Sequence, residues 1–167
     1  AYTLEIIEIE KIEVGVNTHS TNKIVYYALK NNLIKEFKNI LKIKTEVQFG
    51  ENTRFDFMVI DKKKKSFIEV KNVTLSRKKG VSEFPDAVTS RGLKHINQLI
   101  EASKKNFKIY ILYLVQRNDC NKFKIAKDID SDYASALVKA VKSKLNVLCY
   151  DCKFSPKGIK VNKRIKI

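Results

Sequence analysis

Tryptophan is absent from the 167 residues, and there are only one methionine, two prolines and five glycines. So little proline and glycine excludes collagen-like and low-complexity chains and leaves no stretch to serve as a flexible linker. No internal repeat is present either, so residues 1–167 read as one compact domain, long enough to bury a proper core. The three cysteines, Cys120, Cys149 and Cys152, are an odd number and do not suit a disulfide framework. Cys149-Tyr150-Asp151-Cys152 has CxxC spacing, but it lies in an apolar, strand-like stretch and lacks the second pair a zinc site needs; buried thiols are expected. No apolar run approaches the roughly 20 residues of a membrane span, and Ala1-Tyr2-Thr3-Leu4-Glu5 does not open a signal peptide. A soluble, cytoplasmic protein without a membrane partner is the expectation. Acidic charge is scarce as well: 18 Asp and Glu stand against 34 Lys and Arg, a net charge of +16. A chain so basic from end to end expects a polyanion, and nucleic acid is the commonest soluble one. A lysine-rich, isoleucine-rich genome bias contributes to the same excess.

What is present is a sequence of alternating and helical patterns. Tyr2 to Val16 alternates Ile, Val and Glu like edge or hairpin strands. Thr21 or Asn22 can cap a helix through Ile24, Tyr27 and Ala28. Leu33, Phe37, Ile40 and Leu41 are spaced as the apolar face of a second short helix. Strands follow near Thr45 to Phe49, Arg54 to Ile60 and Ser66 to Val73. After the loop Phe84-Pro85-Asp86-Ala87-Val88-Thr89, a helix from about Ser90 to Lys104 buries Leu93, Ile96, Leu99 and Ile100 and shows Arg91, Lys94, His95 and Gln98 on its other side. Phe107 to Val115, almost wholly apolar, reads as a central strand covered on both faces. A helix around Tyr133, Leu137, Ala140 and Val141, a strand at Asn146 to Tyr150 and alternation at Ile159, Val161, Ile165 and Ile167 complete the chain. The core order α-β-β-β-α-β describes an α/β (α+β) domain, a mixed β-sheet flanked by helices.

One constellation carries chemistry. Asp56 sits in the strand Arg54-Phe55-Asp56-Phe57, and Glu69-Val70-Lys71 sits in the next. If Lys62 to Lys65 form the turn, Asp61 pairs with Ser66, Asp56 lies opposite Lys71, and Glu69 lies on the diagonal. All three side chains then share a face. Two carboxylates offer hard oxygen ligands to Mg²⁺ or Mn²⁺, the Val70 carbonyl could add a third, and Glu36, Glu46 or Glu51 could supply a further acid. Lys71 would orient or activate a water and stabilise charge developing on phosphorus. The same three residues read equally well as a solvated cross-strand ion pair, and acid-x-Lys triplets recur by chance at Glu36-Phe37-Lys38 and Asp151-Cys152-Lys153. Arg91, Lys94 and His95 could grip phosphates, although His95 could also simply face solvent. His19 fits a turn or cap better than a catalyst.

Longer runs resemble the sugar fermentation stimulation (SfsA) family. They are Tyr2-Thr3-Leu4-Glu5, Gly15-Val16-Asn17-Thr18-His19, Gly50-Glu51-Asn52-Thr53-Arg54-Phe55-Asp56-Phe57, Glu69-Val70-Lys71-Asn72-Val73-Thr74-Leu75, Phe84-Pro85-Asp86-Ala87-Val88-Thr89-Ser90-Arg91-Gly92-Leu93-Lys94-His95, and Val115-Gln116-Arg117, with Ser155-Pro156-Lys157-Gly158-Ile159 near the end. The resemblance implies a restriction-endonuclease-like core of the PD-(D/E)XK type, DNA as partner, double- or single-stranded, and a link to regulation of sugar, particularly maltose, metabolism. Asp56, Glu69 and Lys71 would be its catalytic residues, with Arg54, Arg91, Lys94, His95 and Gln98 toward DNA. Phe55, not proline, precedes Asp56, and the one Pro85-Asp86 pair follows Glu69-Val70-Lys71 instead of preceding it. Members also carry an N-terminal OB-like domain that this chain is expected to lack. A metal-dependent deoxyribonuclease and a non-catalytic DNA-binding regulator both follow from the resemblance. An RNA-associated basic protein would account for the charge but not for the acids.

Overall fold

A computed structural model describes residues 2–62 and 64–167. The opening alternation forms a hairpin of β1 (Ile6–Ile9) and β2 (Ile12–Gly15). A single 3-10 turn, Thr18–Ser20, is capped by Asn17, whose Oδ1 accepts from the His19 amide, so His19 belongs to a turn. Helix α1 (Thr21–Lys30) follows directly, with Ser20 rather than Thr21 or Asn22 at its N-cap. It buries Ile24, Val25, Ala28 and Leu29 along one face.

The second short helix does not form. Residues 31–41 are turns and bends, with Asn32 and Asn39 at φ 56° and 57°. Two asparagines in the left-handed region leave between them a stretch too short to sustain a helix. Ile34 and Phe37 reach the core from this irregular segment instead.

The main sheet has six strands in the order β11-β10-β8-β5-β4-β3: β3 (Lys42–Gln48), β4 (Arg54–Ile60), β5 (Lys65–Val73), β8 (Lys108–Val115), β10 (Asn146–Ser155) and β11 (Gly158–Arg164). β5, β8 and β10 run parallel and the outer strands antiparallel, so the sheet is mixed. Helices α2 (Ser90–Lys104) and α3 (Ser131–Lys142) cover one face and α1 the other. The expected order α-β-β-β-α-β is found as α1-β3-β4-β5-α2-β8, with β8 central and buried on both sides. Tyr113 on β8 and Tyr133 on α3 join hydroxyls at 2.6 Å within the buried layer.

A second sheet of β6 (Leu75–Lys78), β7 (Val81–Phe84) and β9 (Lys122–Ile125) was not expected. Its strands are four residues each and largely polar, so they carry little alternation. Arg77 braces it, bonding Glu83 at 2.8 Å and Asp128. All three cysteines are buried and free. Cys149 faces the α2 and α3 side and Cys152 the α1 side, three residues apart on one strand, so the CxxC pair cannot share a metal.

Candidate active site

The β4–β5 register differs from the expected one by two residues. Asp61 and Lys64 close the turn, Ile60 pairs with Lys65, and Phe57 pairs with Ile68; Lys63 lies outside the described residues. The turn starts one residue earlier because the Asp61 carboxylate accepts the Lys64 amide at 2.8 Å. Continued upward, this register sets Asp56 opposite Glu69, not Lys71. A shift of two keeps every side chain on its face, whereas a shift of one would have reversed them.

Beyond Phe57 the two strands part. Phe55 packs into the core on the α2 side and Phe57 into the core on the α1 side, although alternate residues of a straight strand share a face. β4 therefore rotates at Asp56, beside Glu46 of β3, which has φ 50°. The rotation frees the edge of β5, and the Asp56 carboxylate fills the gap. Its Oδ2 accepts from the Val70 amide at 2.7 Å and its Oδ1 from the Asn22 side chain at 2.8 Å. In an extended strand the N–H and C=O of one residue point to the same edge, so the Val70 carbonyl is turned to this gap as well.

Glu69 is nearly sealed. Its Oε1 takes Lys71 Nζ at 2.7 Å and also meets His95 Nδ1 from α2, while Oε2 is buried and has no hydrogen-bond partner among the described residues. Burial pushes the Glu69 carboxyl up, but the His95 bond and the Lys71 charge outweigh it and hold the group below the usual range. For Asp56 burial wins: desolvation, then the neighbouring Glu69 charge, raise it to about 6. Two adjacent carboxylates are thus pushed in opposite directions by their surroundings.

His95 was expected on the outer side of α2, yet it is 7% exposed and edge-on to Phe55. Gly92, His95, Ile96, Leu99 and Ala102 form the buried stripe at helical spacing. Reading His95 as a surface polar residue hid that stripe. Thr89 holds the helix start, accepting the Gly92 amide, and its own amide is held by Asp130, which also caps α3.

Arg54, Arg91 and Lys94 are exposed around a cleft of about 590 Å³ with Asp56 and His95 in its wall. Lys94 donates to the Asn52 carbonyl at 2.7 Å. Gln98, one turn along α2, is half-buried and does not line the cleft. Glu36 stands elsewhere, bound to the Tyr150 hydroxyl and Arg164. Glu51 is exposed in the β3–β4 loop, whereas Glu46 lines the cleft beside Asp56. Sequence reading missed Asn22, whose only signal was its place in the first turn of α1.

The donors fit a hard divalent cation. Among the described residues no three His, Cys, Asp or Glu side chains gather as a complete metal site. Mg²⁺, however, is commonly held by one or two carboxylates with water and substrate oxygens completing its shell. The unpartnered, buried Glu69 Oε2 is costly as it stands, and such an atom suits a cation.

Fold and site together define a restriction-endonuclease-like α/β domain with a carboxylate pair and a lysine where its strands part. The family model described as the sugar fermentation stimulation protein RE domain matches residues 19–158, and the chain belongs to the SfsA family. The sugar fermentation stimulation protein homolog of Pelagibacter ubique is 55% identical over 99% of this chain and 72% of its own length. That of Brucella anthropi is 35% identical over the full chain and 72% of its own. The Pyrococcus furiosus SfsA, solved in complex with Ca²⁺, superposes with a TM-score of 0.89 at 22% identity, covering 98% of this chain and 70% of that one. At that identity the likeness speaks to the fold. No helix among the described residues is long and apolar enough to cross a membrane.

Proposed function

We propose that this chain hydrolyses phosphodiester bonds in DNA with the aid of a divalent cation, Mg²⁺ or Mn²⁺. The observation that carries the reading is the pairing of half-buried Asp56 with buried Glu69, whose Oε2 is unpartnered among the described residues and whose other oxygen holds Lys71. Asp56, Glu69 Oε2 and the Val70 carbonyl would hold the ion, which supplies positive charge to polarise the scissile phosphate. Asn22 and the Val70 amide fix the Asp56 carboxylate, and His95 fixes Glu69 from behind. Lys71, 13% exposed and bonded to the Glu69 carboxylate, would orient the attacking water. Hydrolysis joins the water oxygen to phosphorus and breaks the bond to the leaving oxygen, which takes up a proton. Arg54, Arg91 and Lys94 line the approach and would hold flanking phosphates.

A second reading keeps DNA binding and omits catalysis, making the chain a regulator of sugar metabolism genes; the relatives' names speak of stimulating sugar fermentation. Labelled double- and single-stranded DNA incubated with Mg²⁺, Mn²⁺ or chelator, beside Glu69→Gln, separates the two. Metal-dependent cutting that the variant loses is expected. Salt-sensitive binding without cutting by the parent leaves the regulator.

A further inference from the structure

The cleft that holds Asp56 does not end there. A second cleft of about 420 Å³ shares Glu46 and Asp56 with the first and continues onto α1 past Lys23 and Tyr26. A third, of about 530 Å³, shares Tyr26 and Ile43 with the second and runs on to Lys30, Lys38 and Lys42. Through these shared residues the three adjoin in a row that passes Glu46 and Asp56, where β4 rotates, and they are treated together as a groove. Its charge is ordered. The α2 arm carries Arg54, Arg91 and Lys94, the α1 arm carries lysines, and the only acids along it among the described residues, Glu46 and Asp56, lie where the arms meet.

On α1 the groove side is a single stripe. Lys23, Tyr26 and Lys30 are spaced i, i+3 and i+7 and all are exposed, while the opposite face of the helix is in the core. Tyr26 is 39% exposed, and among the described residues no aromatic ring or cation packs on its ring; the neighbouring Tyr27 carries Lys160 at 5.5 Å. An open aromatic face between two lysines is the arrangement on which an unpaired base stacks while its phosphates are held on either side. A duplex keeps its bases stacked on each other and has none to offer.

From this we infer that the occupant is single-stranded DNA, drawn across Asp56 with one flank on Arg54 of β4 and Arg91 and Lys94 of α2 and the other on the α1 lysines, one base lying on Tyr26. The inference rests on the proposed hydrolytic reading for what happens at Asp56, but the groove itself needs only binding.

The test is binding of a fluorescent single-stranded DNA oligonucleotide, with duplex DNA and single-stranded RNA of the same sequence, all in EDTA so that nothing is cut. Tyr26→Ala should weaken single-strand binding by about tenfold, as expected for losing one stacked base, and leave duplex affinity unchanged; Tyr26→Phe should bind like the parent. Lys23→Ala with Lys30→Ala should lower the slope of log affinity against log salt by about 1.4, two phosphate contacts at about 0.7 each. Unchanged single-strand affinity in Tyr26→Ala, or an equal loss on duplex, overturns the proposal, and tighter binding of RNA than DNA overturns its occupant. A parent that shows the Tyr26 effect but never cuts with Mg²⁺ or Mn²⁺ refutes the hydrolytic reading alone.

Discussion

Asn22, in the first turn of α1, donates its side-chain amide to Asp56 Oδ1 at 2.8 Å and so ties a helix on one face of the sheet to the rotation in β4. The bond fixes the second carboxylate of the site from the side opposite His95. Asn22→Ala should lower the cleavage rate by about tenfold, in keeping with a lost hydrogen bond to a charged group, and should weaken cation affinity measured by calorimetry. Loss of rate with unaltered cation affinity would mean that Asn22 does not position Asp56.

The raised Asp56 carboxyl has a consequence for stability. Its ordinary value is 3.8 and its folded value about 6, so between these the folded state holds more protons than the unfolded one. That contribution to stability is present in full below pH 3.8 and is lost as pH rises through about 6. Asp56→Asn, which cannot ionise, should therefore be more stable than the parent at neutral pH, by up to about 3 kcal/mol, and gain little near pH 4. Urea unfolding of both proteins in EDTA across this range checks the sign; a gain that grows toward acid pH would refute it.

Glu69 accepts from two donors, and its removal strands both. Glu69→Ala should lower Tm more than Lys71→Ala does, because it leaves Lys71 and the buried His95 without their acceptor, whereas Lys71→Ala leaves His95 on Glu69. Both should stop cleavage. Equal melting temperatures in the two variants would show that Glu69 is not the hub of the cluster.

Gly92 is packed where no side chain fits. An added Cβ would meet Thr89 Cγ2 at 2.8 Å, Thr89 Oγ1 at 2.9 Å and a ring carbon of Tyr133 at 3.2 Å. Gly92→Ala should push Thr89 off its cap and separate α2 from α3, costing about 1–3 kcal/mol. Chemical denaturation measures it, and a variant as stable as the parent would mean that the cap yields freely.

Much of this was legible in the chain. β4, β5, α2 and β8 are strongly periodic or continuously apolar, so their bounds fall within a residue or two of those read from pattern. Asp56, Glu69 and Lys71 stood out as polar residues in apolar strands, and they do converge. Their route to convergence was not legible. It depends on a turn closed by Asp61 and on a rotation at Asp56 that only packing of Phe55 and Phe57 into opposite cores reveals. His95 was misjudged because polarity was weighed above its place in the buried stripe. The small sheet escaped because ion pairs through Arg77 help to hold strands whose own sequences say little.

The placement of Cys149 and Cys152 gives this protein a pair of internal reporters. One thiol is buried on the α2 and α3 side and the other on the α1 side of a single strand, β10, which lies between β8 and the edge strand β11. A small alkylating reagent can reach either only when the layer above it lifts. Site-resolved alkylation rates of the unmodified chain would therefore time the opening of each layer separately and reveal whether the two halves of the domain come apart together or in turn.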